Sequence, residues 1–209
     1  MALALTGFSV VAGGLLGWVN DVTAEPIAQA NAKTLSDAIA VVVPGFDNNP
    51  AEAPETVEVN GATYKIYKAT KGGQPIGAAV ESASNGFGGT LTVLVGFDNE
   101  GNIIDYSLLS HSETPGLGSK AADWFKKGAK GDITGKNPGK APLTVSKDGG
   151  DVDAITASTI TSRAFLLAVN NAYAAYMNQH VDGVSGASQQ KKGAGEYEKA
   201  DTTNVEPVK

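Results

Sequence analysis

Hydroxyl groups crowd one short stretch of this sequence. From Asp153 to Arg163 the chain reads Asp-Ala-Ile-Thr-Ala-Ser-Thr-Ile-Thr-Ser-Arg, which places Thr156, Ser158, Thr159, Thr161 and Ser162 close together. A Gly/Asp turn at Asp148 to Asp151 precedes it, and Phe165, Leu166, Val169, Ala172, Tyr173 and Tyr176 follow near helical spacing. Thr156 to Thr159 thus mark the start of a helix reaching about Met177 or Gln179. Hydroxyls at such a place have two uses. They cap the free N–H groups of a first turn, or they share those N–H groups and the helix dipole with a phosphate. Spacing alone leaves both open. A second stretch, Glu113-Thr-Pro-Gly-Leu-Gly118 with Lys120 beyond it, combines Pro115 with Gly116 and Gly118. That composition lets backbone approach a flat ligand, and it also makes an ordinary Pro-Gly turn.

The totals narrow the chemistry. The chain has 209 residues, room for one medium domain with extras. A formal net charge of −6 and a pI near 4.9 argue against nucleic-acid binding, which needs a basic face. Cysteine is absent, which excludes disulfides, Cys-ligated zinc and iron–sulfur clusters. Only His111 and His180 are present, too few for a His-based metal site. If electrons pass through this chain, an organic cofactor carries them. No Gly-x-Gly-x-x-Gly follows a strand, so no NAD site is expected. No Ser/His/Asp set suggests a nucleophile either.

The elements that must position the two stretches follow in chain order. Residues 2–19 carry no charge, and about 18 such residues suffice to cross a bilayer core. Trp18 suits the interface, and Gly13 with Gly17 would let another membrane helix pack closely. Residues 1–21 are expected to be a transmembrane anchor. A cleaved signal peptide is the alternative, with Val22-Thr-Ala24 as a faint cleavage site, but no basic segment precedes the run. Residues 22–46 predict a connecting helix with Pro26 in its first turn, or equally a packing helix of the next domain. Residues 47–180 form that domain. Strands are expected at Thr56–Val59, Thr63–Lys68, Gln74–Ser82, Thr90–Phe97 and Asn102–Ser110, with hairpins at Asn60-Gly61 and Asp98 to Gly101. They make one antiparallel sheet with a covered face. A short helix is expected over Ala121–Lys127 and an edge strand over Pro142–Val145. Residues 181–209 are polar and read as a disordered tail. The fold class is α+β: a transmembrane helix, then an antiparallel sheet flanked by helices.

Asp153-x-x-Thr-Ala-Ser-Thr159 resembles the flavinylation motif Asp-x-x-(Ser/Thr)-Gly-Ala-(Thr/Ser) of the FMN-binding domain family. Ala157 and Ser158 stand where the family has Gly and Ala. Glu113 to Gly118 reproduces the family's Glu-Thr-Pro-Gly-Leu-Gly segment, and Asn85-Gly-Phe-Gly-Gly89 resembles its Gly-aromatic-x-Gly turn. The family includes the G subunit of Rnf-type ferredoxin:NAD oxidoreductases and the C subunit of sodium-pumping NADH:quinone reductases; the length is more similar to the former. The resemblance implies FMN held by a phosphoester on Thr159. Thr156, Ser158 and N–H groups near Ile160 to Ser162 would hold the phosphate. Glu113, Thr114, Gly116, Leu117 and Gly118 would pack on or hydrogen-bond the isoalloxazine. A second copy, Asp182-Gly-Val-Ser-Gly-Ala-Ser188, fits the letters better but no helix follows it; it reads as a coincidence of low complexity, with Ser188 a possible second attachment point.

The implied role is electron carriage by covalent FMN in a membrane complex that moves Na+ or H+ while electrons pass between ferredoxin and NAD. The protein itself would bind neither of these. Its partners would be the other membrane subunits, membrane lipid and a flavin transferase. Its soluble domain would lie on the periplasmic, outer side of the bacterial inner membrane. Two other readings stay open: a flavin-free assembly or scaffold module, and a stand-alone flavinylated reductase outside the cytoplasm.

Overall fold

The computed structural model describes residues 2–59 and 61–177. Its first element, α1, is one continuous helix from Ala2 to Val42. Pro26, expected in the first turn of a separate helix, lies inside it. A proline there removes one helical hydrogen bond, but helix formers on both sides carry the helix through. Among the described residues no helix is long and apolar enough to cross a membrane. Side chains 1–5 and 8 of the expected span fall outside the described set, and Ser9, Gly13, Gly14 and Gly17 dilute the rest.

Only the last turns of α1 pack. Ala38, Ile39, Val42 and Val43 are buried against Tyr67, Ala69, Ala79 and Leu94. The contact is close enough to require a glycine: a Cβ on Gly96 would stand 2.0 Å from the Val42 carbonyl oxygen. Upstream, Val10, Leu16 and Trp18 are exposed. The helix is therefore a packing element at its end, while its described large apolar side chains from Val10 to Trp18 are exposed.

Five antiparallel strands follow in simple order: β1 (Glu55–Val59), β2 (Ala62–Lys71), β3 (Gln74–Asn85), β4 (Thr90–Phe97) and β5 (Ile103–Ser110). Period-two alternation divides each strand between two faces. In β4, Leu91, Val93, Val95 and Phe97 join the larger core, whereas Leu94 faces α1. The sheet is thus covered on both faces, α1 reaching only one part of the second. Helix α3 (Thr159–Tyr176) covers the first face with Phe165, Leu166, Val169 and Ala172 buried. Phe165 stacks on Phe125 at 4.3 Å and meets Tyr106 edge-on at 4.7 Å. These rings pin the N-terminal half of α3, and so the hydroxyl-rich stretch before it.

Two expectations need correction. The helix expected to Lys127 is a single turn, α2 (Ala121–Trp124); Gly128 at φ +79 then turns the chain away. The Trp124 indole N–H donates to the Asp153 carbonyl at 2.8 Å, tying α2 to the motif. The expected edge strand at 142–145 is reduced to one parallel bridge, Val145 to Val152. Asn170 of α3 replaces the missing ladder, accepting from the Leu143 N–H and donating to the Leu143 carbonyl, both at 2.9 Å.

Candidate functional site

Three loops meet at the start of α3. The first contains the hydroxyls. Ala157 adopts φ +63, the only described non-glycine residue with positive φ. A left-handed residue with a Cβ costs about 1–2 kcal/mol, which explains why a glycine suits this position. The turn delivers Ser158 to the N-cap of α3, yet its side chain makes no cap bond. Ser162 does the tightening instead: its hydroxyl donates to the Ser158 carbonyl at 3.0 Å and accepts from the Ile155 N–H at 2.9 Å. Both of its roles are filled, and it is fully buried, so its hydroxyl is not available to a ligand. Thr156 is exposed, and Thr159 and Ile160 are half-buried. Among the described residues, nothing accepts from the N–H groups of Thr159, Ile160 and Thr161, as first-turn geometry leaves them.

The second loop follows β5. The Thr114 carbonyl accepts from the Leu117 and Ser119 N–H groups at 3.2 and 3.3 Å, and Gly116 turns at φ +75. Leu117 is 41% exposed. Glu113, by contrast, is only 5% exposed. One of its carboxylate oxygens accepts from the Phe87 and Gly88 N–H groups at 2.8 and 3.3 Å. The other accepts from the Thr161 hydroxyl at 2.7 Å. Glu113 therefore does not present its carboxylate to a ring. It joins the second loop to the third, Asn85–Gly89, and to the first turn of α3. Glycines make this possible: a Cβ on Gly86 would lie 1.9 Å from Glu113 Oε1, and one on Gly118 would lie 2.5 Å from its Oε2. Gly118 thus holds the carboxylate close and is buried by it.

The third loop carries Phe87, 70% exposed although its own N–H is fixed by Glu113. An apolar ring held out on a pinned turn offers a flat ligand a surface to lie on. Phe87 was legible only as part of its glycine-rich turn.

Charge completes the corner. The Lys147 ammonium donates to Thr159 Oγ1 at 3.3 Å. No sequence pattern singled Lys147 out, because it comes from a separate turn at Ser146–Asp148. Arg163 grips both oxygens of Asp148 at 2.7 and 2.6 Å, and that bond, against some burial, holds the Asp148 carboxyl below its usual range. Asp153, the first motif residue, accepts from the Ser146 hydroxyl at 2.9 Å. Free N–H groups, an adjacent cation, the exposed Thr156 hydroxyl and the half-buried Thr159 hydroxyl are a donor set that suits a phosphate, although Ser158 is buried. A phosphate group would fit these donors, and exposed Phe87 and Leu117 are apolar surface on the two neighbouring loops. Ser188 lies outside the described residues.

Residues 86–174 match the FMN-binding domain family, a span that begins at the Phe87 turn and ends within α3. The chain is 36% identical over 181 residues to the G subunit of the ion-translocating oxidoreductase complex of Yersinia pestis, covering 81% of this chain and 86% of that one. It is 35% identical over 189 residues to the G subunit of the same complex of Vibrio cholerae, covering 85% and 89%. A solved structure of the C subunit of Na(+)-translocating NADH-quinone reductase from Parabacteroides distasonis is 22% identical, covering 71% of this chain and 91% of its own, at a TM-score of 0.48.

Proposed function

From the premise that the chain belongs to the G-subunit family of ion-translocating oxidoreductase complexes, we propose that it carries electrons through FMN bound covalently at Thr159. The observation that carries this reading is the match to the FMN-binding domain over residues 86–174, a span that includes Phe87, Glu113 to Gly118 and the turn before α3. Bound FMN supplies the redox chemistry, accepting and passing on electrons. The protein's share is position. The N–H groups of Thr159, Ile160 and Thr161 face the phosphate at the positive end of α3. Thr156 and Ser158 line the turn that brings it there. The 114–118 loop and Phe87 hold the ring, and Glu113 keeps those two loops and α3 in register.

The remaining parts of the reading concern surroundings. The exposed apolar start of α1, with Val10, Val11, Leu15, Leu16 and Trp18 on its surface, favours an anchor in the membrane or among the other subunits of a complex. The soluble domain is placed on the outer, periplasmic side, and a flavin transferase loads it. Production of the full chain with such a transferase tests this. Flavin absorbance should stay with the denatured polypeptide, and the protein should fractionate with membranes alongside partner subunits. A denatured chain free of flavin would refute the reading.

A further inference from the structure

Lys147 approaches Thr159 from outside the motif. It stands in a short turn, Ser146–Asp148, that is fixed on both sides. The Ser146 N–H donates to the Val152 carbonyl at 2.8 Å, and its hydroxyl lies 2.9 Å from both that carbonyl and the Asp153 carboxylate. Gly149 closes the turn at φ +88, and Gly150 has no room for a side chain, since a Cβ would stand 2.1 Å from the Thr144 carbonyl. The turn is thereby bound to Asp153, while Lys147 reaches Thr159 at 3.3 Å. Its neighbour Asp148 is held by Arg163 through both oxygens. Among the described residues Lys147 makes no ion pair. Thr159 thus belongs to a first turn whose N–H groups are free, and its hydroxyl accepts from the Lys147 ammonium, which also lowers the Asp148 carboxyl.

We infer that Lys147 meets the negative charge of the phosphodiester on Thr159, an inference that rests on the reading above. A phosphodiester carries one negative charge, and an ammonium with three donors suits its tetrahedral oxygens without a planar fork. Arginine should replace it in part; a neutral or acidic side chain should not.

The full chain, produced with a flavin transferase, is compared with Lys147→Arg, Lys147→Met and Lys147→Glu. The 31P resonance of the flavinylated protein reads the phosphodiester directly, and intact mass after denaturation reads flavin per chain. Lys147→Met should move the 31P resonance and lower flavin per chain by roughly fivefold at most, the factor that one partly exposed charge pair carries. Arginine should restore both in part, and Lys147→Glu should be worse than Met. Any variant chain that does carry flavin still reports through phosphorus. An unchanged 31P resonance in Lys147→Met overturns the inference, even where flavin content falls, because that pattern would assign Lys147 to transferase recognition alone. A parent chain whose mass shows no flavin overturns the underlying reading and this inference with it, and does so before any variant is compared.

Discussion

Glu113 and Thr159 occupy the same corner and both stand in segments that resemble the family's, yet their surroundings differ. Around Glu113 both carboxylate oxygens are engaged: two backbone N–H groups and one hydroxyl donate to a buried carboxylate, and two glycines leave no room for a side chain beside it. Around Thr159 the donors are open: three N–H groups without acceptors and a lysine without an ion pair among the described residues. Closed polar groups build a site and open ones serve it. The resemblance attaches both segments to the flavin without separating these roles; the hydrogen bonds separate them.

The largest test of that difference is Glu113→Ala. It strands the Phe87 and Gly88 N–H groups and the buried Thr161 hydroxyl, and should lower stability by about 3 kcal/mol in urea melts. Thr156→Ala, on the open side, should leave stability within about 0.5 kcal/mol. Equal effects from the two would erase the comparison. Ser162→Ala comes next. The Ile155 N–H loses its buried acceptor, at a cost of about 1.5 kcal/mol, and the motif turn loosens, so flavin content should fall although Ser162 touches no phosphate. Ala157→Gly acts in the other direction, relieving the left-handed strain and raising stability by about 1 kcal/mol; a loss would show that the turn tolerates Ala at no cost.

The smallest effect concerns pH. Hydrogen bonding from Arg163 lowers the Asp148 carboxyl, so the pair's contribution is present above the unfolded aspartate value of about 3.9 and disappears as pH falls through the folded one. Asp148→Asn should therefore cost about 0.5 kcal/mol near neutrality and flatten the acid end of the stability curve. A steeper acid limb in the variant would contradict the assignment.

Much of the fold was legible. Alternation in Leu91, Val93, Val95 and Phe97, and the spacing of Phe165 to Tyr173, translate directly into faces that must be buried, and the strands and α3 match those patterns. What failed depended on competition between local signals. Pro26 looked like a helix start, but the helix formers around it were stronger. Pro142–Val145 looked like a strand, but Asn170 supplied its hydrogen bonds from a helix. At the site, the hydroxyls near Thr159 were visible because helix starts have a recognisable composition. The occupied state of Ser162 was not, since it depends on Ile155 turning back upon it. Lys147 was hidden for a similar reason: contact between separate turns has no periodicity to read.

The most direct test of the central claim is peptide mapping of the denatured, flavin-bearing chain, with Thr159→Val and Ser188→Ala beside the parent. One flavin should be found on the peptide containing Thr159. It should vanish in Thr159→Val, whose urea midpoint should match that of the parent produced without flavin, and remain in Ser188→Ala. Flavin on the Ser188 peptide and none on Thr159 would contradict the account.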